Sequence, residues 1–228
     1  MAYILHIETA TTVCSVALSQ NEKTLFVKEL DEGFTHAENL HLFIQEALSK
    51  TGIESKDLNA ISVSKGPGSY TGLRIGVSSA KGLAYALNIP LISVDTLQIM
   101  AAMAYDTMKE KAFYCPMIDA RRMEIYTNVY DQDLKAQSEI QALIVDENSI
   151  DTFKKYPKIC FFGDGMPKCK TLLSTLTNAH FIEDIKPSAA SMVKLAHAKF
   201  VSKSFEDVAY FEPFYLKDFM ITKSKSAK

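Results

Sequence analysis

Apolar and polar positions change their spacing several times along the chain, and each change marks an element. Tyr3–Ile7 is a compact apolar run that ends in Glu8, Thr9, Ala10, Thr11 and Thr12; Val13–Leu18 and Thr24–Leu30 follow. The three read as a meander of strands joined by tight turns. From His36 to Lys50 the period lengthens. Leu40, Ile44, Ala47 and Leu48 recur at three and four residues, and Gly52 stands just past the end, which predicts a helix. Leu42 and Phe43 add apolar surface beyond that stripe. Ala60–Ser64 is a short strand of the buried type. Lys65–Gly72 then opens a helix running to about Leu87, Leu91–Val94 is another strand, and Asp95 or Thr96 caps a helix to about Met108.

The second half starts in the same way. Phe113–Ile118 ends in Asp119, Ala120, Arg121 and Arg122, and Glu124–Tyr130 continues as a strand. Ala142–Val145, Lys158–Phe162 and Ala179–Ile182 read as further strands. Ser188–Ser202 reads as a capped helix with Ala189, Val193, Ala196 and Phe200 on one face. The tail from Lys217 to Lys228 is polar and rich in Lys and Ser, as frayed ends are. Two units now echo each other: strand, carboxylate (Glu8 or Asp119), short polar turn, strand. Such hairpins could face one another across a cleft. The expected division is residues 1–108 and residues 109–228, the latter with the final helix and tail.

Composition narrows the function classes. Of 228 residues, 47% are hydrophobic, which argues against intrinsic disorder. Twenty-five basic residues meet 27 acidic ones, so no large phosphate-neutralising face is expected. No uncharged apolar run approaches the roughly 18 residues that a membrane span needs. The start, MAYILHIETA, lacks the positive charge of a signal peptide, so a cytoplasmic location without membrane contact is expected. Cys14, Cys115, Cys160 and Cys169 form no C-x-x-C pair and read as buried thiols.

The richest stretch is SKGPGSYTGLRIGVSSAKGLAYA, Ser64–Ala86. Gly66, Pro67 and Gly68 follow a strand and precede a helix, where free N–H groups and close backbone approach suit an anion or a partner's carboxylate. It is neither a Walker A loop nor G-x-G-x-x-G. A structural tight turn accounts for it equally. In the helix, Gly72, Gly76, Ala80 and Ala84 are each four apart. Glycine costs about 1 kcal/mol against alanine in a helix, so this stripe implies that another backbone comes close. That backbone is either the chain's own or a partner's. His36 and His41 are five apart and cannot share a metal as an i, i+4 pair could. Ser69, Tyr70 and Thr71 lack a His/Asp partner for nucleophilic catalysis.

Four segments together resemble the TsaB (YeaZ) family: IETATTVCSVAL, SKGPGSYTGLRIGVSSAKGLAYALNIPLISVDTL, IDARRMEIY and EPFYLKD. The resemblance runs from about residue 3 to 218, and its G-P-G-S-Y-T-G-L-R-I-G core is the specific part. It implies an α/β chain of the ASKHA (actin-like ATPase) fold, two ribonuclease-H-like halves with the second reduced. It further implies a non-catalytic subunit that binds the TsaD transferase, which moves the threonylcarbamoyl group onto the adenosine beside the anticodon of tRNA. A TsaE ATPase docks on that pair, the same surface makes a homodimer when the chain is alone, and tRNA is held mainly by the partners. Carried over, the partner surface is the first two helices, centred on Leu40, Phe43, Ile44, Ala47, Leu73, Gly76, Val77 and Ala80, with Arg74 facing a partner carboxylate.

A vestigial nucleotide or anion site would comprise Glu8, Thr9, Gly66, Gly68, Ser69, Thr71 and Asp119. Glu8 stands where such ATPases place Asp, and Ala10 where a Gly would admit phosphate. Gly163-Asp164-Gly165 is a remnant of an adenosine loop, and the H-x-x-x-H metal pair of TsaD is missing. No cofactor and no metal are therefore expected. The competing expectations are an ATP-binding or ATP-hydrolysing ASKHA enzyme, with Glu8 and Asp119 on Mg²⁺, and a metal-dependent peptidase. Arg121, Arg122 and Glu124 carry no assigned role beyond knitting the second hairpin.

Overall fold

The computed structural model describes residues 1–33 and 35–217. The tail beyond Lys217 lies outside the described residues. Two five-stranded sheets form, one from residues 3–95 and one from residues 113–181. In the first, β1 (Tyr3–Glu8), β2 (Cys14–Gln20) and β3 (Lys23–Leu30) are an antiparallel meander. β4 (Ala60–Gly66) lies parallel to β1 on its other side, and β5 (Leu91–Asp95) parallel to β4. The order is β3-β2-β1-β4-β5.

The second sheet repeats this plan. β6 (Phe113–Asp119), β7 (Glu124–Thr127) and β8 (Gln141–Ile144) are its meander. β9 (Ile159–Phe162) and β10 (Ala179–Phe181) add in parallel on the far side of β6. The order β8-β7-β6-β9-β10 matches the first sheet strand for strand. The hairpin echo in the sequence is thus a whole-sheet echo.

The helices show where the second half is reduced. The first sheet carries α1 (His36–Thr51) after its meander and α2 (Tyr70–Leu87) between its parallel strands. At the corresponding places the second has a 3₁₀ turn, Ser149–Phe153, and the eight-residue α4 (Met166–Leu173). α3 (Thr96–Met108) joins the two sheets. The predicted helix Ser188–Ser202 resolves into a 3₁₀ turn (Ala189–Met192) followed by α5 (Val193–Val201). α4 had no counterpart in the sequence reading.

Packing exchanges two of these helices. α3 follows the first sheet in the chain, yet its Leu97, Met100 and Ala104 pack with Tyr114 and Phe162 of the second. The segment carrying α5 follows the second sheet, yet Ala189, Met192 and Ala196 pack with Ile4, Ala17 and Ile92 of the first. Polar contacts fix that return. The Ser188 hydroxyl donates to Glu29 at 2.5 Å, and the Ala189 N–H donates to the Ser15 hydroxyl at 2.9 Å. Beyond α5 the chain runs as a strap. Glu206 bridges to Leu91 on the outer edge of β5, Lys81 donates to the carbonyls of Ala209 and Phe211, and the Phe214 N–H reaches the Lys65 carbonyl at 2.7 Å. The strap so caps an open sheet edge, which would otherwise invite pairing with another chain.

Candidate functional site

The end of β1 and the start of α2 meet at the head of the first sheet. β1 is buried from Ile4 to its last residue, so the carboxyl of Glu8 is carried inside the protein. Its Oε1 accepts the Ala10 N–H at 2.6 Å. Burial pushes the Glu8 carboxyl up to about 7, against the pull of the Ala10 N–H, the Ser64 hydroxyl and the Thr9 N–H, with Glu29 adding a small push in the same direction as burial. Glu8 is therefore largely a neutral acid in weakly acidic solution.

Thr9 and Ala10 then turn onto the α2 loop. The Ala10 carbonyl accepts the Ser69 N–H at 2.7 Å, and Thr9 Oγ1 donates to the Gly72 carbonyl at 2.8 Å. Ser69 caps the helix by accepting the Gly72 N–H. His36 Nε2, at the start of α1, donates to the Thr11 carbonyl at 2.8 Å. The glycines make these approaches possible. A Cβ on Gly68 would stand 2.2 Å from the Ala10 carbonyl oxygen, one on Gly72 2.1 Å from the Thr9 carbonyl oxygen, and one on Gly76 2.1 Å from Thr9 Oγ1. The backbone that the small-residue stripe implied is the chain's own β1–β2 turn. It packs directly against the Gly68–Gly76 stretch.

The residues expected at the centre of a partner surface point inward. Leu40, Phe43, Ile44, Ala47, Leu73, Gly76, Val77 and Ala80 are buried within this chain, Phe43 and Ile44 being the most exposed at 6%. Apart from Leu73 and Gly76, they join Leu5, Val16, Ile61 and Val63 in the core of the first sheet. The physical reason is the stripe itself: the most apolar face of each helix goes to the sheet, where burying a Leu or Phe is worth about 1.5–3 kcal/mol. Arg74 alone of that set is exposed. The outward faces carry Leu42, 59% exposed, and Tyr85, 83% exposed, with open space above Gly82. Leu42 was signalled in the sequence as an apolar residue off the stripe, whereas nothing there singled out Tyr85.

The second hairpin is built differently. Asp119 is half exposed. Partial burial works to raise its carboxyl, but an ion pair with Lys168 and the Arg121 N–H at 2.8 Å outweigh this and hold it below the usual range. Lys168 also donates to the Glu124 carbonyl at 2.7 Å, and Glu124 pairs with Lys217 of the strap. Asp164, raised by burial, accepts the Asp119 N–H at 3.0 Å. The Gly163–Gly165 remnant thus serves the hairpin. Among the described residues no hydrogen bond or ion pair joins Glu8 to Asp119, and no group of three His, Cys, Asp or Glu could hold a metal. Thr71 is exposed and Ser69 half-buried at the mouth of α2. The four cysteines are buried and free, and burial pushes Cys14 up to about 11 and Cys115 to about 12. No helix among the described residues is long and apolar enough to cross a membrane.

Comparison with known proteins fixes the family. The family model for the tRNA N6-adenosine threonylcarbamoyltransferase TsaD matches residues 33–223. The tRNA threonylcarbamoyladenosine biosynthesis protein TsaB of Buchnera aphidicola subsp. Acyrthosiphon pisum is 32% identical over 192 residues, 80% of this chain and 85% of that protein. The chain belongs to the TsaB family. TsaB of Escherichia coli K12 is 38% identical over 130 residues, so the chain spans about half of that relative, 55%. YeaZ from Pseudomonas aeruginosa has the same fold, with TM-score 0.78, 24% identity, and 95% of this chain and 100% of that one covered. The activator of 2-hydroxyisocaproyl-CoA dehydratase from Clostridium difficile, solved with bound ADPNP, matches at TM-score 0.51 and 9% identity over 90% of this chain and 98% of that one. The chain therefore has the ASKHA fold, with two sheets of the same strand order, and its family is named for tRNA threonylcarbamoyladenosine biosynthesis.

Proposed function

We propose that this TsaB-family chain is a non-catalytic scaffold in the cytoplasm that binds a TsaD-type transferase through the outward faces of α1 and α2. A TsaE-type ATPase docks on the resulting pair, and the partners carry most of the tRNA contacts. The same face makes a homodimer when the transferase is absent. The chain uses no cofactor of its own. Residues 1–108 and 109–228 are proposed as the two halves.

The observation that carries this reading is the sealed head of the first sheet. Thr9 and Ala10 pack against the Gly66–Gly72 loop, and Gly68 and Gly72 have no space left above them, which supports a reading without a phosphate site there. The ATPase reading loses its pocket, whereas the helix pair keeps two large apolar side chains, Leu42 and Tyr85, in solvent. Arg74, exposed on α2, supplies a charge for the rim of the contact.

The test is Leu42→Arg with Tyr85→Arg. The expected result is a normally folded chain that no longer co-purifies with its transferase, read by native mass measurement. Persistence of the complex in the double variant refutes the helix-face docking. Gly76→Arg is unsuitable, because it strikes Thr9 inside the chain and would unfold it. Heat on titration with ATP and Mg²⁺ would restore the nucleotide reading.

A further inference from the structure

Only three of the 25 basic residues are arginine: Arg74, Arg121 and Arg122. All three are exposed. Among the described residues none of them enters an ion pair, although eleven such pairs form.

Contacts through the strap connect the start of α2 with the second hairpin. The Arg74 guanidinium lies 4.3 Å from the centre of the Tyr70 ring. Tyr70 and Tyr215 have ring centres 4.9 Å apart. Two residues further along the strap, Lys217 pairs with Glu124. Glu124 lies on the strand that follows the Arg121–Arg122 turn. The Glu124 N–H then bonds the Arg121 carbonyl at 3.1 Å.

The two hairpin arginines are not there for the turn. Arg121 and Arg122 have φ values of 73° and 48°. A left-handed position is easiest for Gly, Asn or Asp and strains other residues. Two arginines in succession at such positions make a weaker turn and a stronger cationic tip. Arginine rather than lysine suits phosphate, because its planar fork takes two oxygens at once and it also stacks on rings.

We propose that this surface binds RNA directly. Arg121 and Arg122 take backbone phosphates, and the ring of Tyr215 takes an unpaired base. Arg74 closes the strip next to the helix faces proposed for the transferase. An acidic protein face would use the arginines and have no need of the Tyr215 ring, which is why the observations favour RNA. The idea goes beyond the scaffold reading, which leaves RNA to the partners. It also reconciles an overall charge of −2 with a local basic strip, since affinity for phosphate follows the patch and not the sum.

Fluorescence anisotropy with a labelled tRNA transcript and the full chain alone tests it. The expected dissociation constant at low salt is in the micromolar range, about 10⁻⁶–10⁻⁴ M, rising steeply with salt. Arg121→Glu with Arg122→Glu should weaken binding at least tenfold and reduce the salt slope by about 1.5, the share of two phosphates. Tyr215→Leu should weaken binding to tRNA several-fold and leave a blunt RNA duplex unaffected. Leu42→Arg with Tyr85→Arg should leave tRNA affinity unchanged, which separates this strip from the docking face. Melting curves establish that each variant is folded. Absence of salt-sensitive binding, or charge reversal without effect, overturns the proposal. So does loss of the transferase complex in the arginine variant with tRNA binding intact, which would assign the strip to an acidic protein partner.

Discussion

The two hairpins share one topology and have opposite surroundings. In the first, Glu8 is wholly buried and its turn is pressed against glycines of α2. In the second, Asp119 stands half in solvent, ion-paired to Lys168, above a short helix. Glycines back both turns, but not equally. A Cβ on Gly165 would find its nearest neighbours at 3.0 Å, against 2.1 Å at Gly72. The contrast teaches that a strand-end carboxylate has no fixed meaning in this fold. What packs behind the turn decides whether it becomes part of the core or part of the surface.

The strongest way to break the contrast is to add one methyl group to each side. Gly72→Ala drives a Cβ into a backbone carbonyl and should cost at least about 3 kcal/mol. That is a fall of roughly 6–12 °C in Tm for a chain of this size, measured by calorimetry. Gly165→Ala should cost about 1 kcal/mol, because its neighbours need give only a few tenths of an ångström. Equal losses would remove the distinction between a sealed and an open turn.

Glu8→Gln sharpens it through pH. The carboxyl titrates near 4.5 in the unfolded chain and near 7 in the folded one. Below 4.5 both states hold the proton and stability is complete. Between 4.5 and 7 only the unfolded chain releases it, so stability falls by about 1.4 kcal/mol per pH unit and then levels off. The total is about 3 kcal/mol. Gln keeps the acceptor for the Ala10 N–H and cannot ionise. The variant should therefore match the parent at pH 4 and exceed it by up to about 3 kcal/mol at pH 8. His6, which burial holds down at about 3, pulls the other way, because stability drops as pH falls below 6.5. Only the difference between variant and parent isolates Glu8. A pH-independent difference would mean that Glu8 is already ionised in the folded chain.

Asp119→Asn should have the smallest effect. Its pair with Lys168 is partly solvated and worth below about 1 kcal/mol. A larger loss in urea unfolding would show the second hairpin to be as tightly integrated as the first.

The strands and long helices were legible in the sequence because their signal is local. The 3.6 period of Leu40, Ile44 and Ala47 and the apolar runs of β1 and β6 need no knowledge of neighbours. α4 escaped because eight residues with Pro167 in the first turn and Lys at 168 and 170 offer too short a stripe. The site was harder to read. A stripe of small residues states that something comes close and is silent on what. Only the folded chain shows Thr9 and Ala10 lying against it, some sixty residues away in sequence. Leu42 was visible as an apolar residue off the stripe, whereas Tyr85 stood out only once the buried arc of α2 was known. The aromatic contact of Tyr215 with Tyr70 depends on the path of the strap, which no periodicity encodes.

The crossed helices have a consequence for synthesis. As the ribosome extends the chain, the first sheet is complete in sequence once Asp95 is made, yet Ile4, Ala17 and Ile92 still lack their cover. That cover, Ala189, Met192 and Ala196, is translated about ninety residues after Asp95, behind the whole of the second sheet. A nascent or prematurely ended product would present a bare apolar face and an open β5 edge, both of which chaperones and proteases recognise. Late packing of α5 thus acts as a check on completeness: only a chain translated through this segment becomes a stable subunit.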